Sequence, residues 1–263
     1  MQATASTCRR VIIPVVLVLL GSSLAPLRLR SQEPSARPST EAAVPASVTG
    51  ELTVVTADDF AQHRSERRYR IRDEGTGEWL EVIFEHEPPP SLQSGRRITL
   101  HGRKAGAQLV VAALDSGSGV AASSSPSALQ PSGPVAGEQK TVVILVNFSD
   151  APAEPYTVAA AEDVLLNHVG GFVREASSNR AWISGAVFGW FTIPMESTVC
   201  DATTLSRLAR QAATAAGVNL SNYSRYIYAH PRNVCGYDGA GTIGGHPSES
   251  WINGTFGLKV VGH

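Results

Sequence analysis

Residues 116–138 divide this chain more sharply than any other feature. Ser116-Gly117-Ser118-Gly119, Ser123-Ser124-Ser125-Pro126 and Pro131-Ser132-Gly133-Pro134 follow one another without an apolar period. Such a stretch has too little apolar side chain to offset the entropy of ordering it, so it reads as a flexible linker. Any fold must therefore assemble from its two sides, and no internal repeat relates them.

Residues 48–115 carry the pattern of a small β domain. Glu51–Thr56, Arg68–Arg72, Trp79–Phe84, Arg97–His101 and Gln108–Leu114 alternate or run apolar. Turn material such as Asp73-Glu74-Gly75 and Pro88-Pro89-Pro90 separates them. Tyr69/Ile71, Leu80/Val82/Phe84 and Ile98/Leu100 supply the inward set, and five short strands predict an OB-like barrel. Arg64, Arg67, Arg68, Arg70 and Arg72 could line an anionic groove. Acidic residues are interleaved with them, so the arginines are read as a solvated face. The whole chain holds 22 Lys+Arg against 23 Asp+Glu, a net charge of −1, which excludes the broad basic surface of a nucleic-acid binder.

Residues 139–263 read as mixed α/β. Thr141–Phe148 is a continuous, largely β-branched run, the pattern of a strand buried on both faces. Thr157 caps a predicted helix bearing Val158, Ala161, Leu165 and Val169. Val187–Ile193 is a further strand. Asp201 is the predicted N-cap of a helix with Leu205, Leu208, Ala209, Ala212 and Ala216 on one face, stopped by Gly217. Tyr223–Ala229 then forms a strand ended by Pro231. The overall expectation is α+β: an OB-like barrel followed by an α/β part.

The N-terminus predicts export. Arg9-Arg10 precede the apolar run Val11–Leu20, and Ser23-Leu24-Ala25 offers a cleavage site, giving a signal peptide over 1–25 and a disordered leader over 26–47. The run is short for a membrane span, so no stable insertion is expected after cleavage; an uncleaved anchor is the alternative. Of the three cysteines, Cys8 lies in the signal. Cys200 and Cys235 remain and should pair in an oxidising compartment, with free thiols or a metal pair as alternatives. The loop they would close spans about 36 residues, worth roughly 4 kcal/mol by chain-entropy arithmetic.

Catalytic signatures are sparse. There is no G-x-S-x-G elbow, no phosphate-binding glycine loop and no G-x-G-x-x-G between a strand and a helix. None of the seven histidines pairs with another at metal-ligand spacing on one helix face, and His230 and His246, beside prolines, read as structural or solvent-facing.

The order of segments over roughly 139–263 resembles the gametolysin-like family of secreted zinc metallopeptidases, within the metzincins. The likeness is carried by Val142–Phe148, Gly185–Phe191, Tyr223–Cys235, Gly244-Gly245, Ser250-Trp251-Ile252-Asn253-Gly254 and Val260-Val261-Gly262-His263. In that family a Val-x-x-His opens the active-site helix, and its histidine begins H-E-x-x-H-x-x-G-x-x-H. The resemblance implies that His263 is the first Zn²⁺ ligand and that the substrate is a protein or peptide. It also implies an edge strand that pairs with extended substrate, for which Gly241-Thr242-Ile243-Gly244-Gly245 is the candidate, small residues permitting close backbone approach. Catalytic zinc needs three protein ligands and an open position for the water it activates. The motif's glutamate and two further histidines would lie past the last residue, so no catalytic residue is assigned in this chain. As written it is expected to be inert and zinc-free. The alternative is an exported binding or adhesion protein with an OB-like module and an inactive α/β domain.

Overall fold

The computed structural model describes residues 43–112 and 136–263. The predicted signal, leader residues 26–42, Cys8 and most of the linker lie outside the described residues. What is described is a mixed α+β arrangement, mostly strand with few helices.

Five strands build the first part: β1 (Val44–Asp59), β2 (Arg64–Asp73), β3 (Trp79–Phe84), β4 (Arg96–Ala105) and β5 (Gln108–Val111). Antiparallel pairing joins β1 to β2 and β4, β2 to β3 and β4 to β5, while β3 and β5 run parallel. The result is a closed ring. Period-2 alternation turns Leu52, Ile71, Leu80, Leu100 and Leu109 inward, where all are buried. A Cβ at Gly50 would run into the Arg72 carbonyl and one at Gly102 into that of Val110, so glycine lets the strands close up there. Residues 44–47, assigned by composition to the leader, are the first residues of β1, because Val44–Ser47 pair with His101–Lys104 of β4. Arg70 departs from a solvated face: its guanidinium lies 5.2 Å above the Trp79 ring and donates to Thr203 Oγ1.

The second part runs β6 (Gly137–Phe148), α1 (Val158–Asp163), a π-helical turn (Val164–Val169), α2 (Gly170–Ala176), β7 (Ala181–Ile193) and α3 (Ala202–Ala215). A 3-10 turn (Leu220–Asn222), β8 (Arg225–His230), β9 (Gly239–Thr242), β10 (Ser248–Asn253) and α4 (Leu258–Val261) follow. Strands β7, β6, β8 and β10 are parallel in that order; β9 pairs antiparallel with β10. Every residue from Thr141 to Phe148 is buried, as a strand covered on both faces requires. Val142, Ile144, Val146 and Phe148 face Leu205, Ala209 and Ala213 of α3. Val143 and Leu145 face Ala161, Leu165 and Phe256 on the other side.

Local chemistry sets the helix ends. The Asp201 carboxylate accepts from the Thr203 and Thr204 N–H groups and caps α3, and the Thr157 hydroxyl does the same for Ala160. Gly217, at φ 88°, turns the chain out of α3 while the Val218 N–H returns to the Ala213 carbonyl. Cys200 and Cys235 form the expected disulfide, with Cα atoms 5.1 Å apart.

The two parts are not separate packing units. β1 also pairs antiparallel with β9, so ring and mixed sheet form one ten-stranded sheet. Because side chains alternate along a strand, β1 serves two cores: Leu52 and Val54 fill the ring, while Val55 and Ala57 pack against the core that includes Ala240 and Trp251. Among the described residues no helix is long and apolar enough to cross a membrane.

Candidate functional site

A cleft of about 340 Å³ opens where β1, β9, β10 and α4 meet. Its floor is the Gly239-Ala240-Gly241-Thr242 backbone of β9, its far side Ser250 and Ile252, and its rim Val260, Val261 and His263. Glycine at 239 has a local reason. An added Cβ would lie 2.9 Å from a Val260 methyl, so the missing side chain lets α4 settle on β9. That approach brings His263, just past the end of α4, to the cleft mouth.

From the opposite side, β1 sends Thr56, Asp58 and Phe60 into the same cleft. The Phe60 ring lies 5.2 Å from the His263 ring and 5.0 Å from the Lys259 ammonium. Asp238 fixes this corner. Its Oδ2 accepts the Phe60 N–H at 2.9 Å, its Oδ1 accepts from Arg232, and its own N–H donates to the Asp58 carbonyl at 2.8 Å. The Arg232 hydrogen bond, with the Phe60 N–H assisting, holds the Asp238 carboxyl below the usual carboxylate range against a smaller desolvation effect.

The five residues expected to orient substrate are split. Gly241 and Thr242 belong to β9 and are paired on both edges, to Thr56 and Val55 of β1 and, at Gly241, to Ser250 of β10. Ile243 donates to the Val54 carbonyl (2.9 Å) and accepts from the Ser94 N–H (2.7 Å). Gly244 and Gly245 are exposed, with φ of 77° and 93°, and Gly244 forms an isolated parallel bridge with Ser94. Of the expected segment only Gly241 and Thr242 lie in a strand, and the edge of that strand is taken by β1.

His263 is exposed and is the one residue of the cleft assigned to metal by sequence. Among the described residues, no group of three or more His, Cys, Asp or Glu is arranged to hold a metal ion. A single imidazole does not fit catalytic zinc, so these residues alone do not make that centre, and no chemical step is routed through it.

His230 is wholly buried at the end of β8. Its Nδ1 donates to the Pro231 carbonyl at 2.9 Å, and Phe148 packs against its ring at 5.5 Å. Burial pushes its pKa down to about 4, so it is a neutral core residue at pH 7. His246 is exposed beside Pro247.

Asn253 does more than its place in the sequence suggests. Its side-chain amide donates to the Cys235 and Tyr237 carbonyls and its oxygen accepts from the Asn233 N–H, pinning the disulfide loop beneath β10. Four asparagines stand in Asn-x-Ser/Thr sequons: Asn147 and Asn253 are buried in the folded chain, while Asn219 and Asn222 are exposed. Phe60 and Asp238 went unnoticed in the sequence, since 178 positions separate them and no local pattern marks such a pair. Comparison with models of known protein families and with curated proteins returns no match for this chain.

Proposed function

We propose that this chain is the N-terminal portion of an exported zinc-dependent endopeptidase of gametolysin-like type. In this reading the Gly241–Gly245 segment lies along an extended peptide, His263 is one metal ligand, and the remaining zinc motif follows in the natural protein. The observation that carries the reading is the placement of His263: α4 rests on Gly239 and holds the imidazole at the mouth of a cleft floored by a glycine-rich strand. The Cys200–Cys235 disulfide is compatible with export. The test compares the protein extended through its natural downstream codons with its His263→Ala variant. Loss of bound zinc and of chelator-sensitive peptide hydrolysis in the variant is expected; equal zinc and equal activity in both defeats the assignment.

A second reading, an exported binding or adhesion protein, draws on the ring. Its order β1-β2-β3-β5-β4, with β3 and β5 parallel, is OB-like, and such rings bind ligands without catalysis. A natural stop codon directly after His263 favours this reading over the peptidase.

A further inference from the structure

We infer that the outer edge of β7 is a dimerisation edge. Its occupant is the same edge of a second copy of this chain, paired antiparallel about a two-fold axis at Gly185. The inference is independent of the peptidase reading.

β7 closes one end of the ten-stranded sheet and, among the described residues, pairs only with β6. β6 is buried from Thr141 to Phe148, whereas Ala181, Val187 and Ile193 are the only buried residues among the 13 of β7. Two fixed bonds give the direction of its backbone groups. The Arg180 carbonyl accepts from the Gly137 N–H at the start of β6. Ala181 turns the other way: its N–H donates to Ser177 Oγ at 3.0 Å, and that hydroxyl donates to the Ala181 carbonyl at 3.3 Å. Strand alternation then points the N–H and C=O groups of Ile183, Gly185 and Val187 away from β6, where no described residue meets them. Open edges usually carry a charge or a proline that keeps other chains off, and Ala181–Ile193 carries neither.

The window left open is self-complementary. Ser177 seals it at Ala181, and the register shift against β6 at Gly189 and Trp190 ends it after Phe188. Trp182–Phe188 is centred on Gly185. An antiparallel copy with Gly185 opposite Gly185 sets Ile183 against the second copy's Val187, so each outward N–H meets an outward C=O. The sealed Ala181 then falls opposite Gly189, and pairing stops at the same place in both copies. The side chains agree with this register. Trp182, 41% exposed, falls opposite the second copy's half-buried Phe188, and both lie on the face of the sheet that α3 covers. Aromatic pairs directly opposite across two strands are favourable, and the two-fold axis makes this one twice. With no charged side chain in the window, the copies meet without like charges opposed.

The test follows self-association of the full chain by sedimentation velocity over a range of concentrations. Every form carries Cys8→Ser, which leaves no thiol outside the native disulfide. A mass rising from one chain toward two is expected. Trp182→Lys changes an exposed side chain, sets an ammonium against the opposing Phe188 and should weaken association roughly tenfold or more. A chain that stays monomeric at every concentration overturns the inference, including the case in which residues 113–135 cover this edge. Unchanged association of Trp182→Lys overturns it as well. The register is read by mixing two single variants, Ser184→Cys and Ala186→Cys. Pairing about Gly185 sets these positions directly opposite each other, with Cα atoms about 4.5 Å apart, within reach of a disulfide. Under mild oxidation the mixture should yield a linked dimer and either variant alone far less. Equal yields alone and mixed, or no linked dimer at all, overturn the inference.

Discussion

His230 closes β8 against Phe148 with its Nε2 enclosed and unpartnered among the described residues. Such a ring is tolerated only while neutral, since a buried charge without a partner is costly. Its pKa is about 4 in the folded chain against about 6.5 when unfolded. Between those values the unfolded state binds the proton and the folded state does not. Stability is therefore full above about pH 6.5 and falls as the pH drops toward 4, by on the order of 3 kcal/mol from this group. Urea denaturation of the native chain across that range should show the loss. A His230→Leu variant, though less stable at pH 7, should show a shallower pH slope. Equal slopes would mean that other groups carry the acid sensitivity. The sequence left His230 between a structural and a solvent-facing reading; its burial depends on Phe148, 82 positions earlier, and no local pattern reports that.

At the scale of elements, legibility follows from whether the cause is local. β6 was readable because seven successive apolar or amide-bearing residues, Val142–Phe148, fit only a strand covered twice. α3 was readable from Asp201 and the spacing of its apolar face, and capping is chemistry between neighbours. β10 was not readable. Ser248-Glu249-Ser250 looks like a loop, yet its backbone pairs with β8 and β9 and Glu249 bonds Arg210 of α3 and Tyr228 of β8, so tertiary partners make the strand. β9 is a strand for the same reason, since Gly-Ala-Gly has little intrinsic preference for one. The Cys200–Cys235 disulfide joins two elements at this scale, tying the residue before the α3 cap to the loop between β8 and β9. Replacing both cysteines by serine should cost up to roughly 4 kcal/mol and lower the unfolding midpoint in urea. The Asp201→Ala change should cost about 1 kcal/mol, the usual worth of an N-cap. A cap effect as large as the disulfide effect would show that Asp201 also secures Arg70, which sits beside Thr203.

The whole molecule hangs on one strand. β1 fills the ring with one face and helps cover the mixed sheet with the other, so its two cores share a backbone although each has its own side chains. The sequence suggested two bodies on a tether because composition reports the linker strongly and cross-sheet pairing not at all. The outcome of cutting that tether distinguishes the two pictures. A site-specific protease sequence placed at residues 123–130 would separate the ring from the mixed sheet covalently, and the native disulfide lies wholly in the second piece. The pieces would then be held by the Val55–Asp58 pairing, the Ser94–Ile243 bond, the Arg70–Thr203 contact and the Phe60–His263 ring contact. Each net hydrogen bond is worth only about 1 kcal/mol, but several lie in one place, with Ala57 buried and Val55 half-buried behind them, and together they are expected to hold the pieces. The cut chain should therefore elute as one species in size-exclusion chromatography and dissociate on dilution or when Thr56→Pro and Phe60→Ala are introduced. Immediate separation of the unaltered pieces would mean that the covalent tether, and not the β1–β9 pairing, keeps the ring over the cleft.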